Sequence, residues 1–252
     1  MKWTQVESGS VYAAGHQFLT ALGDDANTVI ARANSDPDFV GRVAKFAING
    51  GFEPTTSQKR SREIMAKNFF GVEEAIRCFG VSPSRVQLAV LSEIPFSEST
   101  LEQSKDTHVL AAVFPLSILD IRSNVQDKGL FYSQDWYDKQ AFAKECGEVS
   151  WQLVRKTPVD DSTSKNWQEQ QSLIGKDDEV PSAQVMVYTI IGHYVATGER
   201  LFERIYGRTS SVDSDSNHVY VGSFGSEGLF VDDFWDGSRL GYLGVSSARK
   251  SP

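Results

Sequence analysis

The sequence predicts an α+β protein in which a helical N-terminal region precedes a mixed domain. Three observations carry this prediction. Apolar residues recur at helical spacing early in the chain, and short β-type segments bounded by turn residues dominate after residue 108. One long helical pattern, at residues 183–196, interrupts those segments. Segregated helices and short antiparallel strands are typical of the α+β class.

Residues 12–49 carry the first helical pattern. Their apolar positions follow helical spacing and are broken at residues 23–25 and 35–37, which predicts two or three short helices. The polar and charged residues 55–67 are consistent with a linker or an exposed helix. We therefore expect a helical N-terminal region at residues 1–60, with a soft boundary near its end.

A pair of helices is predicted at residues 72–94. The first helix stops at Gly80, and the second has Pro83 at its first helical position. The pair resembles a DNA-reading helix-turn-helix. A DNA reader, however, needs basic or amide side chains on its second helix, and here only Arg85 and Gln87 are offered. Because helical hairpins with glycine in the turn are common, a structural hairpin is the preferred interpretation.

The β-type segments begin at His108. Runs of strand-forming residues bounded by turn residues predict strands at residues 109–114, 116–121, 149–154, 201–209, 218–224, 228–234 and 243–248. Between them, Ser182 suits the N-cap of a helix that Gly198 would end. We assign residues 61–105 to a helical hairpin or linker and residues 106–250 to one domain.

Composition and charge argue against several classes of protein. The net charge is −8, whereas nucleic-acid binders usually show a concentrated basic surface. Only Cys78 and Cys146 are present, without metal-ligand spacing, so we expect two buried thiols rather than a disulfide framework or a zinc site. No apolar run is long enough to span a bilayer, and no signal-peptide pattern opens the sequence. A cytoplasmic location is the default expectation, with export by another route left open.

No catalytic, metal or cofactor motif stands out. Residues 213–217 alternate oxygen-bearing side chains as a calcium loop does, but the EF-hand glycine and glutamate are missing, so a turn held by Asx hydrogen bonds is expected. His193 lies in an apolar helical pattern and is interpreted as a core histidine. A Gly-x-Ser-x-Gly nucleophile elbow is absent from the sequence. We therefore predict no enzyme and no cofactor.

Residues 217–250 form the most informative segment. Apolar framework positions are interleaved with aromatic, small and acidic residues that have no evident core role. Such residues suit recognition because rigid aromatic side chains cover area at low entropy cost. The expected framework consists of Val219, Val221, Phe224, Leu229, Val231, Trp235, Leu243, Val245 and Ala248. The expected ligand-binding residues are Tyr220, Ser223, Phe230, Asp232, Asp233, Phe234, Trp235, Ser238, Leu240, Gly241 and Tyr242. An ordinary β-hairpin with a solvated face is the alternative, and a core position is the alternative for Trp235.

Several stretches of the chain carry a family resemblance: residues 68–76, 105–118, 151–158, 187–193, 197–203 and 243–250. They resemble the variable proteins of diversity-generating retroelements, a group of mostly unannotated bacterial proteins from candidate-phyla genomes. The resemblance implies a C-type lectin-like, ligand-binding domain at residues 106–250. It also implies that an error-prone reverse transcriptase rewrites the last segment at template adenines. Randomised asparagine codons would produce residue types like those found between Tyr220 and Tyr242.

The same resemblance implies that residues 116–121 form a strand beside residues 243–248, with the helix at 182–197 packed on the sheet. The Glu-Pro-Asn and Gln-Pro-Asp motifs of calcium-dependent lectins are absent, so the expected ligand is an unknown protein or surface ligand. Its apolar anchors would be Phe230, Phe234, Trp235 and Tyr242, while Asp232 and Asp233 would favour basic partners. The sequence does not indicate an oligomeric state.

Two other functions remain open at this point. The first is a DNA-associated regulator whose hairpin at residues 72–94 reads an operator while the C-terminal domain senses a ligand. The second is an enzyme of the formylglycine-generating type, which shares the lectin-like architecture. It ranks last because Cys78 and Cys146 lie far upstream of the positions its active cysteines would need.

Overall fold

The computed structural model describes residues 8–48, 51–125 and 127–251. The fold class is α+β, as predicted. The chain forms two compact units, Met1–Gly51 and Phe52–Pro252. The predicted boundary near residue 60 falls inside a helix of the second unit, and the predicted hairpin region at residues 61–105 also belongs to that unit.

The first unit is helical. It contains α1 (Ser8–Leu22), a 3-10 turn, α2 (Ala26–Ser35) and α3 (Pro37–Ile48), so the prediction of two or three short helices is confirmed. Proline occupies the first position of α3, where its missing N–H costs nothing.

The remaining described α-helices belong to the second unit. They are α4 (Thr56–Met65), α5 (Val72–Phe79), α6 (Arg85–Val90), α7 (Glu98–Ser104), α8 (Ile118–Asn124), α9 (Trp167–Gln171) and α10 (Ala183–Thr197). Helix α4, predicted as a linker or an exposed helix, begins at a capping box between Thr55 and Gln58 and buries Ile64 and Met65. Helix α6 starts two residues later than predicted, because Ser84 rather than Ser82 caps it and Pro83 lies outside the helix.

The described strands form two sheets. The strands are β1 (Phe69–Phe70), β2 (His108–Val113), β3 (Ser150–Arg155), β4 (Asp178–Glu179), β5 (Tyr206–Val212), β6 (His218–Gly225), β7 (Gly228–Asp233), β8 (Leu243–Val245) and β9 (Ala248–Arg249). The first sheet has the order β1-β2-β3-β9-β4, and the second has the order β7-β6-β5-β8. Strands β2, β3, β6 and β7 lie where the sequence predicts them.

The strand predicted at residues 116–121 is wrong. Ser117 accepts a hydrogen bond from the backbone N–H of Asp120, and this capping box starts α8 instead. The strands that lie beside β9 are β3, with Val154 opposite Ala248, and β4, with Glu179 opposite Ala248. The final strand predicted at residues 243–248 is divided, since β8 joins the second sheet and β9 joins the first. The strand predicted from residue 201 begins only at Tyr206.

Helix α10 forms the centre of the second unit. Ser182 caps its first turn and Gly198 ends it in the left-handed conformation, as predicted. All of its residues from Ala183 to His193 are buried except half-buried Val185, which is typical of a helix enclosed on nearly all sides. It packs against β2, β6, α5 and α8. Through these contacts α10 supports both sheets.

Candidate functional site

The inner face of the β6–β7 hairpin belongs to the protein core. Val219, Val221, Leu229 and Val231 are completely buried there, as the framework prediction requires. Phe224, Leu243, Val245 and Ala248 are buried as well, so the framework prediction is confirmed for these residues. It is wrong for Trp235, which is 69% exposed.

Two glycines of the hairpin are required by close backbone contacts. A Cβ atom on Gly222 would lie 2.2 Å from the carbonyl oxygen of Ile205. A Cβ atom on Gly228, which has φ of 98°, would lie 2.5 Å from the carbonyl carbon of Phe131. Only glycine avoids both overlaps, so these positions are as constrained as the buried valines.

The outer face of the second sheet carries aromatic side chains. Tyr220 lies opposite Asp232 in the register, and Gly222 lies opposite both Phe230 and Tyr206. Residues that are paired or two apart along a strand project to the same side. Tyr206, Tyr220, Phe230 and Asp232 therefore share the face opposite the valines.

Five rings form a continuous cluster on this side, which we call the aromatic face: Tyr132, Tyr206, Tyr220, Phe230 and Tyr242. Tyr206 is central, with its ring centroid 5.0 Å from Tyr220, 6.0 Å from Tyr242 and 6.4 Å from Phe230, all at steep interplanar angles. Tyr132 stacks on Phe230 with centroids 3.8 Å apart. Edge-on and offset contacts of this kind are the favourable arrangements for aromatic rings.

The sequence did not identify Tyr132 and Tyr206 as site residues. Tyr132 reaches the face because its backbone N–H donates to the carbonyl oxygen of Leu229, beside a bridge between Phe131 and Leu229. Tyr206 opens β5, outside the segment at residues 217–250. Tyr206 lies two residues before Arg208, on the same face of β5. This spacing is the only local signal that could have indicated Tyr206 as a site residue.

A loop at residues 234–242, here called the 234–242 loop, covers the neighbouring part of the outer face. Beneath it lies Arg208, completely buried and opposite Tyr220 in the register. The Arg208 guanidinium donates to the Oγ of Ser238 and to the Oε1 of Gln170, each at 2.9 Å. It also donates to the carbonyl oxygen of Trp235 at 3.3 Å. Arg208, which the sequence did not single out, thus holds the loop against the sheet.

Two further contacts attach the same loop. The backbone N–H of His218 donates to Asp236, and the His218 ring nitrogen Nδ1 lies 2.7 Å from the second carboxylate oxygen of Asp236. The backbone N–H of Ser164 donates to the carbonyl oxygen of Leu240. The loop is therefore fastened at its middle and near its end by groups outside it.

The fastened loop still exposes large aromatic side chains. Phe234 is 47% exposed, Trp235 is 69% exposed and Tyr242 is 52% exposed. The alternative of a core position for Trp235 is therefore wrong; its indole lies across Gly237, where a Cβ atom would be 2.4 Å from the ring. Large aromatic groups held in water next to a polar rim are typical of interaction sites.

The other predicted site residues occupy less exposed positions. Tyr220 is only 8% exposed and lies at the base of the aromatic face. Ser223 is half-buried, with φ of 48°, where the β6–β7 register shifts. Ser238 and Leu240 are half-buried in the loop, whereas Gly241 is exposed. Tyr242 links the aromatic face to the 234–242 loop, which contains Ser238, Leu240 and Gly241, whereas Ser223 lies at the far end of β6.

The two neighbouring carboxylates point to opposite sides of the sheet. Asp232 lies on the outer face beside Tyr220, whereas Asp233 is paired with Val219 at the opposite side. Burial raises the pKa of both, and for Asp233 burial and the nearby Asp213 carboxylate raise it to about 6. Burial, followed by the charge of Asp232, raises the pKa of Tyr220. Only Asp232 can therefore act from the aromatic face.

Residues outside this region have structural roles. Asp213 accepts hydrogen bonds from the backbone N–H groups of Asp215 and Asn217, which confirms the Asx turn. Within residues 8–48, 51–125 and 127–251, no three His, Cys, Asp or Glu side chains are grouped to hold a metal.

Of the two thiols predicted to be buried, Cys78 is buried, whereas Cys146 is exposed, so the prediction is wrong for Cys146. None of the described helices combines the length and apolar character that crossing a membrane requires.

Buried His193 is confirmed as a core histidine. Its Nε2 lies 3.5 Å from Glu199, and burial lowers the pKa of the ring despite that carboxylate. Glu199 itself contacts Lys67 and Lys156, each at 2.7 Å, and these two cations lower its pKa to about 2. The cluster therefore ties the end of α10 to neighbouring segments.

The helical pair at residues 72–94 presents few groups that could read DNA. Helix α6 has six residues and exposes Val86 and Val90. The Gln87 side chain accepts from the backbone N–H of Ser84 within the capping box, so it is already engaged.

Comparisons of the chain with protein-family models, curated proteins and solved structures find no match.

Proposed function

We propose that this protein is a non-catalytic binding protein that recognises a protein partner through the aromatic face and the 234–242 loop. The observation that carries the proposal is the exposure of Phe234, Trp235 and Tyr242 on a loop fastened from below by buried Arg208. Exposed aromatic side chains that are already ordered lose little entropy on binding, which is the property of a recognition surface.

We further propose that the domain is C-type lectin-like and that a retroelement diversifies its surface. Support for the first part is the pairing of β9 with β3, which brings the chain end into an earlier sheet, together with α10 packed against both sheets. Support for the second is the separation of constrained and accessible positions along one hairpin. The valines and Gly222 cannot change freely, whereas the residues between them reach the surface or its base.

Sequencing the flanking DNA and sister isolates tests diversification. We expect a reverse transcriptase gene and a near-copy of the 3′ end that differs at adenines under residues 220–242. An invariant 3′ end without either element would contradict diversification and leave an ordinary binding hairpin.

A peptide-display selection tests the binding surface. The full chain is panned against a random peptide library in which Lys, Arg, Asp and Glu have equal frequencies. Peptides that bind the native chain are then measured on Phe234→Ala and Trp235→Ala. We expect about tenfold or greater weakening, because central aromatic residues dominate binding energy. Val86→Ala, which shortens an exposed apolar side chain on α6, is the matched control and should leave affinity unchanged.

A further inference from the structure

We infer that the aromatic face receives a basic side chain, arginine or lysine, from the protein partner, with Asp232 as its counter-ion. This inference rests on the proposed binding function and adds the chemistry of the group that is recognised.

The carboxylate and the rings lie within reach of one cationic group. Asp232 is directly opposite Tyr220, and Phe230 is two residues away on the same face of the strand. Directly opposite side chains on a sheet lie about 5 Å apart at Cβ. The face of a tyrosine or phenylalanine ring attracts an ammonium or guanidinium group held within about 6 Å of its centre. A basic side chain placed over Tyr206 and Phe230 would therefore meet Asp232 at its charged end.

The Asp232 carboxylate has no cationic partner in the described structure. Its hydrogen-bond donors, the Tyr220 hydroxyl and the backbone N–H of Asp233, are both neutral. No ion pair between described residues includes it. The carboxylate is half-buried, and burial raises its pKa, so it has lost water without gaining a positive charge. An arriving cation would restore that lost stabilisation.

The chain's own basic groups near the face are already engaged. Arg208 lies on the same side, but its two terminal nitrogens donate to Ser238, Gln170 and Trp235 beneath the loop, and only its buried Nε has no partner. Arg239 pairs with Glu169 at 3.0 Å. Arg200 donates to the carbonyl oxygen of Gly225 and lies over the ring of Phe224. Because none of these three arginines pairs with Asp232, we assign the positive charge to the partner.

A side chain of a protein suits this position better than a free cation. The rings of Tyr206, Tyr242 and Phe230 offer apolar area for the methylene stem of arginine or lysine, while the charge is met at one end. The exposed aromatics of the 234–242 loop continue the surface, so the residues flanking the basic side chain also find contacts.

The peptide selection described above tests this inference. Binders that depend on Phe234 and Trp235 are sequenced, and we expect Arg and Lys to exceed Asp and Glu by about threefold or more, as electrostatic complementarity predicts. Replacing the recurrent arginine of a binder by citrulline, which keeps the shape and removes the charge, should weaken binding about tenfold. Asp232→Asn, which retains an oxygen for the Asp233 N–H, should weaken it by a similar factor. Glu145→Gln removes the same charge from an exposed position and should have no comparable effect.

The outcomes separate this inference from the proposed function. Binders that need Phe234 and Trp235 but show no excess of basic residues, or that tolerate citrulline, would overturn the cationic class and leave the binding surface intact. Equal losses with Asp232→Asn and Glu145→Gln would also overturn it, since they would indicate a general charge effect. Binders insensitive to both aromatic substitutions, or no binders at all, would count against the proposed function itself.

Discussion

The inner and outer faces of the β6–β7 hairpin are built from the same strands but differ in burial. On the inner face, Val219, Val221, Leu229 and Val231 are wholly buried, and each lies in the core. The outer face, including the 234–242 loop, combines buried Arg208 with partly exposed rings. The difference shows that the outer face has an ordered surface without being sealed from water. Its rings are placed by the sheet and by Arg208 rather than by a second packing layer.

Arg208→Ala should have the largest effect, because it removes the support of the outer face. Gln170, Ser238 and the Trp235 carbonyl would lose a buried charged donor, so we expect the free energy of unfolding to fall by about 3 kcal/mol or more. Urea unfolding of the full chain measures it. Arg239→Ala, which removes an exposed arginine paired with Glu169, should cost about 0.5 kcal/mol or less. Equal losses in the two variants would show that Arg208 does not support the loop.

Val231→Ala tests the inner face. Removing two buried methyl groups should lower the free energy of unfolding by about 2 kcal/mol, through lost burial and the cavity left behind. Val86→Ala makes the same chemical change on exposed α6 and should alter stability by about 0.5 kcal/mol or less. Equal stability of the Val231 and Val86 variants would contradict the assignment of the inner face to the core.

The pH dependence of the free energy of unfolding should include a contribution from Asp233. Its folded pKa of about 6 exceeds the ordinary value of 3.8, so the folded state binds the proton more tightly than the unfolded state. This group therefore stabilises the fold at low pH and loses that contribution as pH rises from about 3.8 to about 6. Asp233→Asn should remove this part of the pH dependence, measured by unfolding at several pH values. Asp215→Asn in the adjacent turn is the control, and identical profiles for Asp233→Asn and the native chain would refute the assignment.

Phe234→Ala and Trp235→Ala should have the smallest effects on stability. Phe234 is 47% exposed and Trp235 is 69% exposed, so we expect the free energy of unfolding to change by about 0.5 kcal/mol or less in either variant. The measurement is again urea unfolding, carried out on the samples used for binding. A loss near that of Val231→Ala would place these rings in the core and contradict the surface assignment.

The sequence was sufficient for elements whose signals are local. Helix α10 begins after Ser182 and ends at Gly198, and both residues form hydrogen bonds with nearby backbone groups. Their residue types alone therefore predict the two ends of the helix. Local signals conflicted at residues 116–121, where an apolar run suggested a strand. There the capping box of Ser117 and Asp120 supplied backbone partners within three residues, and the helix formed.

The sequence by itself determined the α+β class, helix α10, the hairpin strands and the burial of their valines, because the burial of valines follows from apolar character and strand alternation. It did not predict that Tyr220 is buried. Only the tertiary structure decided which rings meet Tyr206, that Arg208 lies under the loop, and that Trp235 remains in water. Tyr132 and Phe230 are far apart in the chain yet stack at 3.8 Å. Contacts between residues so distant depend on how the sheet packs against the preceding loop. The spacing of residues along the chain does not predict that packing.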